Sequence, residues 1–166
     1  MGVAQTKIIG IGEYAVARNP STRLKTMALG SCVAVCLYHP PSGVAGMAHV
    51  ALPEAAANKE KAIKTPAYFA DSGIKHLLNK LAYLGNISLI PEIRAKLVGG
   101  AAVIYMKKDS FNIGARNIAA CRDTLRRYGV LVKGEHVGGT INRTVTMQPG
   151  DDGVFIYTPG VGSWTI

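Results

Sequence analysis

"SCVAVCLYHPPSGVAGMAHVAL", residues 31–52, holds two apolar runs on either side of a corner. The first run, 31–38, is rich in Val, whose branched Cβ packs well on a pleated surface. Pro40, Pro41, Ser42 and Gly43 follow, and this is turn chemistry: two residues with fixed φ, a hydroxyl that bonds locally, and a residue tolerant of positive φ. The second run covers 44–52. Two such runs across a short Pro/Gly turn predict an antiparallel hairpin that sets Cys32 and His49 on adjacent strands.

Working outward, residues 6–17 and 22–30 read as two earlier strands. From Pro66 the period changes, with Ala70, Ile74, Leu77, Leu78, Leu81 and Leu84 recurring at helical spacing and Gly85 placed to stop the run. A strand is expected over 95–105, where Gly99-Gly100 predicts a bulge or a close backbone contact. After "FNIGARN", which Arg116-Asn117 would make the opening of a second helix, Ile118, Cys121, Leu125 and Tyr128 share one side as far as Gly129. "VLVKGEHVGG", "RTVTMQ" and "GVFIYT" then read as strands. Strands at both ends and two separated helices predict an α+β fold of layered mixed sheets flanked by helices, in one domain over 1–166.

Composition narrows the function classes. Nearly half of the 166 residues are hydrophobic, which suffices for a core. His39, Pro40, Pro41 and His49 interrupt the most apolar region, so no membrane span is expected. Lys7, Gly10, Gly12 and Glu13 fall where a signal peptide would need its apolar stretch, and a cytoplasmic protein is the expectation. Three cysteines, Cys32, Cys36 and Cys121, are an odd count that argues for reduced thiols. The net charge of +9 comes from scattered residues, with "KK" at 107 and "RR" at 126 the longest runs. No nucleic-acid motif accompanies them, so the charge favours an acidic protein partner over RNA or DNA.

Cys32, Cys36, His39 and His49 lie close enough in sequence to raise the question of a metal. On one strand Cys32 and Cys36 share a face but stand about 13 Å apart, at roughly 3.3 Å per residue. That separation excludes both a shared ion and a disulfide unless the strand breaks between them. A nucleophile needs a thiol, a base within reach and a group that orients the base. Cys32 follows the Gly30-Ser31 corner, which can expose sulfur and direct backbone N–H groups at an oxyanion, and His49 is the candidate base. Spacing permits this without demanding it, because a Cys in a Val-rich strand is also ordinary core.

The stretch "TMALGSC" (26–32) followed by "GMAHVALP" (46–53) resembles the signature of the chemoreceptor glutamine deamidases of bacterial and archaeal chemotaxis, the CheD family. "IGIGEYAV" near the start, "AKLVGGA" at 95–101, "NIGARN" at 112–117, and Gly138-Gly139 followed by Arg143 resemble further family blocks in the same order. Asn142 departs from the family pattern, where many relatives carry Gly before the Arg. The resemblance implies a cysteine-hydrolase type of fold with Cys32 as nucleophile, His49 as general base and Thr26 as the residue that orients His49. It also implies a reaction: specific glutamine side chains of methyl-accepting chemotaxis receptors become glutamates with release of ammonia. A glutamyl methyl ester would pass through the same acyl-enzyme.

No cofactor and no metal is implied. A second, binding role toward a CheC-type chemotaxis phosphatase is, with a monomer as the default for the free protein. A thiol pKa depressed by pairing with His49 is the further expectation for Cys32. Ser31 and Asn117 are the candidate substrate-binding residues, and Asn117 is also the alternative orienter of His49, since a Cys–His pair held by Asn is chemically reasonable. Cys36 and Cys121 read as core. His39, His76 and His136 read as structural or solvated residues.

Overall fold

The computed structural model describes residues 3–102 and 112–166. In chain order the strands and helices are β1 (Gln5–Ile8), β2 (Tyr14–Ala17), β3 (Thr22–Leu29), β4 (Val33–His39), β5 (Val44–Val50), α1 (Lys59–Lys64), α2 (Ala70–Gly85), β6 (Arg94–Gly99), α3 (Ile113–Arg127), β7 (Leu131–Val137), β8 (Arg143–Met147), β9 (Phe155–Thr158) and β10 (Gly162–Thr165). The strands form two five-stranded sheets. One, with order β2-β5-β4-β6-β7, is the central sheet; the other, with order β1-β3-β8-β9-β10, is the outer sheet. Both are mixed, because β6 runs parallel to β7 and β1 parallel to β3 while the remaining pairs are antiparallel. The α+β layering read from the sequence is therefore what forms.

The hairpin of β4 and β5 lies at the middle of this arrangement, and every residue of β5 is buried. Strands covered on both faces read as continuous apolar runs instead of alternating ones. Val33, Val35, Leu37, Ala48 and Val50 point toward the helices, where they meet Ile74, Leu77 and Leu81 of α2 and Ile118, Cys121 and Leu125 of α3. Ala34, Cys36 and Met47 point the other way, into a second core shared with Leu24, Leu29, Val145 and Ile156 of the outer sheet. The helices thus cover one face of the central sheet, and the outer sheet covers the other.

Several expectations are corrected at their edges. The strand expected over 6–17 is two, because a turn at Gly10–Glu13, closed by the Gly10 N–H donating to the Glu13 carboxylate at 2.7 Å, passes the chain from the outer to the central sheet. The strand expected from residue 31 begins at Val33, so Ser31 and Cys32 occupy the bend before it. α2 is stopped by Asn86 in the left-handed conformation, one residue beyond Gly85. β6 ends at Gly99, and residues 103–105 of the expected strand lie outside the described residues. α3 starts at Ile113, which puts Asn117 in its second turn and not at its opening.

α1 and β10 were not anticipated. α1, "KEKAIK", buries no residue and so carries no apolar stripe to read, while β10 is a short edge strand.

The glycine pair at the end of β6 is a close contact. A Cβ on Gly99, at φ +117°, would stand 2.3 Å from the Cys32 carbonyl oxygen; one on Gly100 would stand 2.4 Å from Cγ1 of Ile118. Only glycine lets the Cys32 corner and the first turns of α3 approach the end of β6 this closely.

Candidate active site

Three elements bring Thr26, Cys32 and His49 to one place. In the β4–β5 register His49 lies opposite Ala34. Cys32, two residues before Ala34, shares its face and stands diagonally across from His49, a relation of about 7–8 Å between backbones that side chains can span. This face looks toward the outer sheet, and Cys32 packs, half-buried, against the core between the sheets. Thr26 arrives from the outer sheet on β3, opposite Val145 and fully buried. The pairing then slips by a bulge before Leu29 meets Arg143, with Ala28 at φ +54°, and the chain crosses Gly30 and Ser31 to reach Cys32.

Hydrogen bonding assigns the histidine tautomer. Thr26 Oγ1 lies 2.7 Å from the Ile9 carbonyl oxygen and 2.7 Å from His49 Nδ1. A carbonyl only accepts, so the single hydroxyl proton goes to Ile9, and Thr26 in turn accepts from Nδ1–H. The proton of neutral His49 is thereby held on Nδ1, and Nε2 keeps its lone pair. That atom is buried and has no partner among the described residues. An orienting hydroxyl, an oriented imidazole and a basic nitrogen thus lie on the thiol's face, with no hydrogen bond joining Cys32 Sγ to His49 Nε2 among the described residues.

Burial shifts both groups. It pushes the Cys32 thiol above its ordinary value and the His49 imidazole below its own, the latter opposed by the Ile9 carbonyl and by Glu13. The expected depression of the Cys32 pKa is corrected in direction: burial raises it, because desolvation disfavours the thiolate. Cys36 and Cys121 are fully buried, with thiols pushed up to about 12, as core cysteines should be.

Asn117 is placed differently from either role read for it. Completely buried, it donates from Nδ2 to the Ser31 carbonyl at 3.0 Å and to the Ala51 carbonyl at 2.9 Å. It therefore ties together the chain just before Cys32 and the chain just after β5, while its Oδ1 is buried without a partner among the described residues. Ser31 enters this arrangement through its backbone, and its hydroxyl makes no hydrogen bond among the described residues. The remaining histidines have structural partners: His39 bonds Ser42 at 2.7 Å and Glu92 at 3.3 Å, His76 bonds the Ser72 carbonyl, and His136 accepts from Arg143 and packs on Trp164. Among the described residues no three His, Cys, Asp or Glu side chains gather as metal ligands would.

Sequence reasoning missed the Ile9 carbonyl, which has no side-chain signal. Also missed was a cavity of about 350 Å³ beside the bulge, lined by Met27, Ala28, Ile141, Arg143 and Val161 among others.

Comparison with known proteins agrees with the motifs. A family described as CheD chemotactic sensory transduction matches residues 51–158, a span that begins just after His49. A Syntrophotalea carbinolica protein named probable chemoreceptor glutamine deamidase CheD is 43% identical over 159 residues, covering 96% of this chain and 98% of that protein. The chemoreceptor glutamine deamidase CheD of Thermotoga maritima is 40% identical over 139 residues, with 84% and 83% covered. Likeness to solved structures is slight. YlmD from Geobacillus stearothermophilus gives a TM-score of 0.43 at 13% identity over 80% of this chain and 60% of its own, and NMB0706 from Neisseria meningitidis gives 0.39 at 15% over 76% and 51%.

Proposed function

Because the chain belongs to the CheD family, we propose that it is a protein-glutamine deamidase acting on chemotaxis receptors, with Cys32 as nucleophile, His49 as general base and Thr26 as the residue that orients it. The observation that carries this reading is the pair of 2.7 Å contacts at Thr26 Oγ1, which leaves His49 Nε2 unprotonated on the face that Cys32 shares.

His49 Nε2 takes the thiol proton as sulfur attacks the carboxamide carbon, so the charge develops in the transition state and no standing ion pair is needed. The tetrahedral intermediate collapses with cleavage of the C–N bond, and protonated His49 gives its proton to the departing nitrogen, which leaves as ammonia. A water molecule, deprotonated by the same Nε2, adds to the thioester, the S–C bond breaks, and the thiol is restored. In sum, one amide and one water become one carboxylate and one ammonium ion. A glutamyl methyl ester enters by the same acyl-enzyme with methanol leaving. No step calls on a metal or an organic cofactor.

Ser31 edges the site beside Cys32, and Asn117 serves it through the backbone. The net charge of +9 suits a surface that meets acidic receptor helices. The chain works as one domain over 1–166, as a monomer in the cytoplasm; no described helix is long and apolar enough to cross a membrane. A binding role toward a CheC-type phosphatase is compatible with the same surface and separable from catalysis.

The deciding experiment incubates a receptor cytoplasmic fragment with wild type and with Cys32→Ala and maps the peptides by mass. Conversion of defined glutamines by wild type alone is the expected result. Equal conversion by Cys32→Ala refutes the assignment of the nucleophile, and no conversion by a folded wild type on its cognate receptor refutes the deamidase reading. Retained phosphatase binding by Cys32→Ala would separate the second role.

A further inference from the structure

We infer that the backbone N–H of Cys32 is the oxyanion donor of this site and that Asn117 is the positioning residue that aims it. The inference rests on the cysteine-hydrolase reading above and adds to it a group that stabilises the tetrahedral intermediate.

Three successive carbonyls around the nucleophile are pinned. The Gly30 carbonyl accepts from Ala101 N–H at 2.8 Å, the Cys32 carbonyl from Gly100 N–H at 2.8 Å, and the Ser31 carbonyl, between them, from Asn117 Nδ2 at 3.0 Å. No cis peptide occurs among the described residues, so each N–H points opposite to the carbonyl of its own peptide plane. The Ser31 carbonyl and the Cys32 N–H share one plane. Fixing the first on Asn117 therefore fixes the direction of the second.

That direction is set by the layers. Asn117 belongs to α3, whose Ile118, Cys121 and Leu125 pack on the helix-covered face of the central sheet. The Ser31 carbonyl thus points to the helix layer, and the Cys32 N–H points to the opposite face, where the thiol and His49 lie. Among the described residues this N–H has no hydrogen-bond acceptor of its own. A donor aimed at the face of its own nucleophile, with its plane locked beforehand, is what a developing oxyanion requires.

Asn117 also holds the Ala51 carbonyl, two residues after His49. An amide nitrogen with two protons is the simplest buried group able to donate to both carbonyls at once. The burial of Asn117 from solvent keeps water from competing for either. Gly100 is needed for the same reason, since a Cβ there would stand 2.4 Å from Cγ1 of Ile118 and hold α3 away, while Gly99 makes room for the Cys32 carbonyl.

The test separates reactions that form an oxyanion from one that does not. Acylation of Cys32 by p-nitrophenyl acetate passes through a tetrahedral oxyanion, whereas alkylation by iodoacetamide is a direct displacement at carbon. Both are followed for wild type and Asn117→Ala, with Cys32 as the site verified by mass. Acylation is expected to fall about a hundredfold, with the alkylation rate and its pH profile within about twofold of wild type.

An acylation rate equal to wild type overturns the inference, and so does a parallel fall in alkylation, which would mean that Asn117 only holds the nucleophile in place. Should Asn117→Ala not fold, Asn117→Ser keeps one donor and is read in the same way, with an intermediate loss expected. Receptor deamidation is assayed beside these reactions. A wild type that is acylated but does not deamidate fails the substrate assignment alone, and one that is alkylated but not acylated overturns the oxyanion site itself.

Discussion

Replacing Thr26 by Val tests the catalytic reading at its narrowest point, because the new side chain has nearly the same shape and lacks only the hydroxyl. In the native protein that hydroxyl donates to the Ile9 carbonyl and accepts from His49 Nδ1–H, and all three groups are out of water. Thr26→Val leaves a buried donor on His49 unpaired, at about 1–3 kcal/mol. The imidazole can recover this by moving its proton to Nε2 or by turning away from Thr26, and either change removes the base from the thiol. With a factor of ten for each 1.36 kcal/mol, the competent tautomer becomes about 5- to 150-fold rarer.

We therefore expect kcat/KM for deamidation of a receptor fragment to fall into that range, and Thr26→Ser to retain activity within about threefold, since it keeps the hydroxyl. The assay is ammonia release under conditions where substrate is well below KM, with circular dichroism to verify the fold. A folded Thr26→Val enzyme within twofold of wild type would refute the argument that this hydroxyl fixes the tautomer.

Two more predictions follow from the buried surroundings of the site. Native protein treated with iodoacetamide should be labelled at Cys32 alone, because Cys36 and Cys121 are fully buried with thiols near 12, and the labelling midpoint should lie above the ordinary cysteine value of about 8.5. The sign follows from burial, which disfavours the thiolate; a midpoint below that value would mean that an ion pair with His49 outweighs desolvation. Gly99→Ala should cost more than about 2 kcal/mol in a denaturant titration and displace the Cys32 corner, since it adds a positive-φ penalty to a Cβ 2.3 Å from the Cys32 carbonyl. Wild-type stability and activity in that variant would contradict this close approach of Gly99 to the Cys32 carbonyl.

Much of the candidate site could be read along the chain because its proposed nucleophile and base belong to one hairpin. The Val-rich run, the Pro/Gly turn and the second apolar run suffice for a hairpin, and a hairpin with this turn places Cys32 diagonal to His49 on one face. The two main helices were legible for a similar local reason, since Ile74, Leu77, Leu78 and Leu81 face a single core. Edges were less so. The turn at Gly10–Glu13 splits one apparent strand between two sheets, and strand periodicity carries no mark of which sheet a segment will join. Thr26 looks like any β-branched strand residue, and only the family motif singles it out.

Residue order alone, then, determines the hairpin, the helical stripes and the family, because each depends on side chains near one another in sequence. Tertiary structure decides the electrostatics. His49 is held in the Nδ1–H tautomer by a hydroxyl on the other sheet and a carbonyl 17 residues before that hydroxyl; the family motif marks the hydroxyl, and nothing in the sequence marks the carbonyl. Asn117 becomes a backbone clamp because Gly100 lets its helix, and Gly99 the Cys32 corner, approach the end of β6. Burial between the layers, absent from any one strand, raises the thiol and lowers the imidazole. Hydrogen-bond direction and desolvation depend on which surfaces the folded chain brings together, and those are properties of the packed layers.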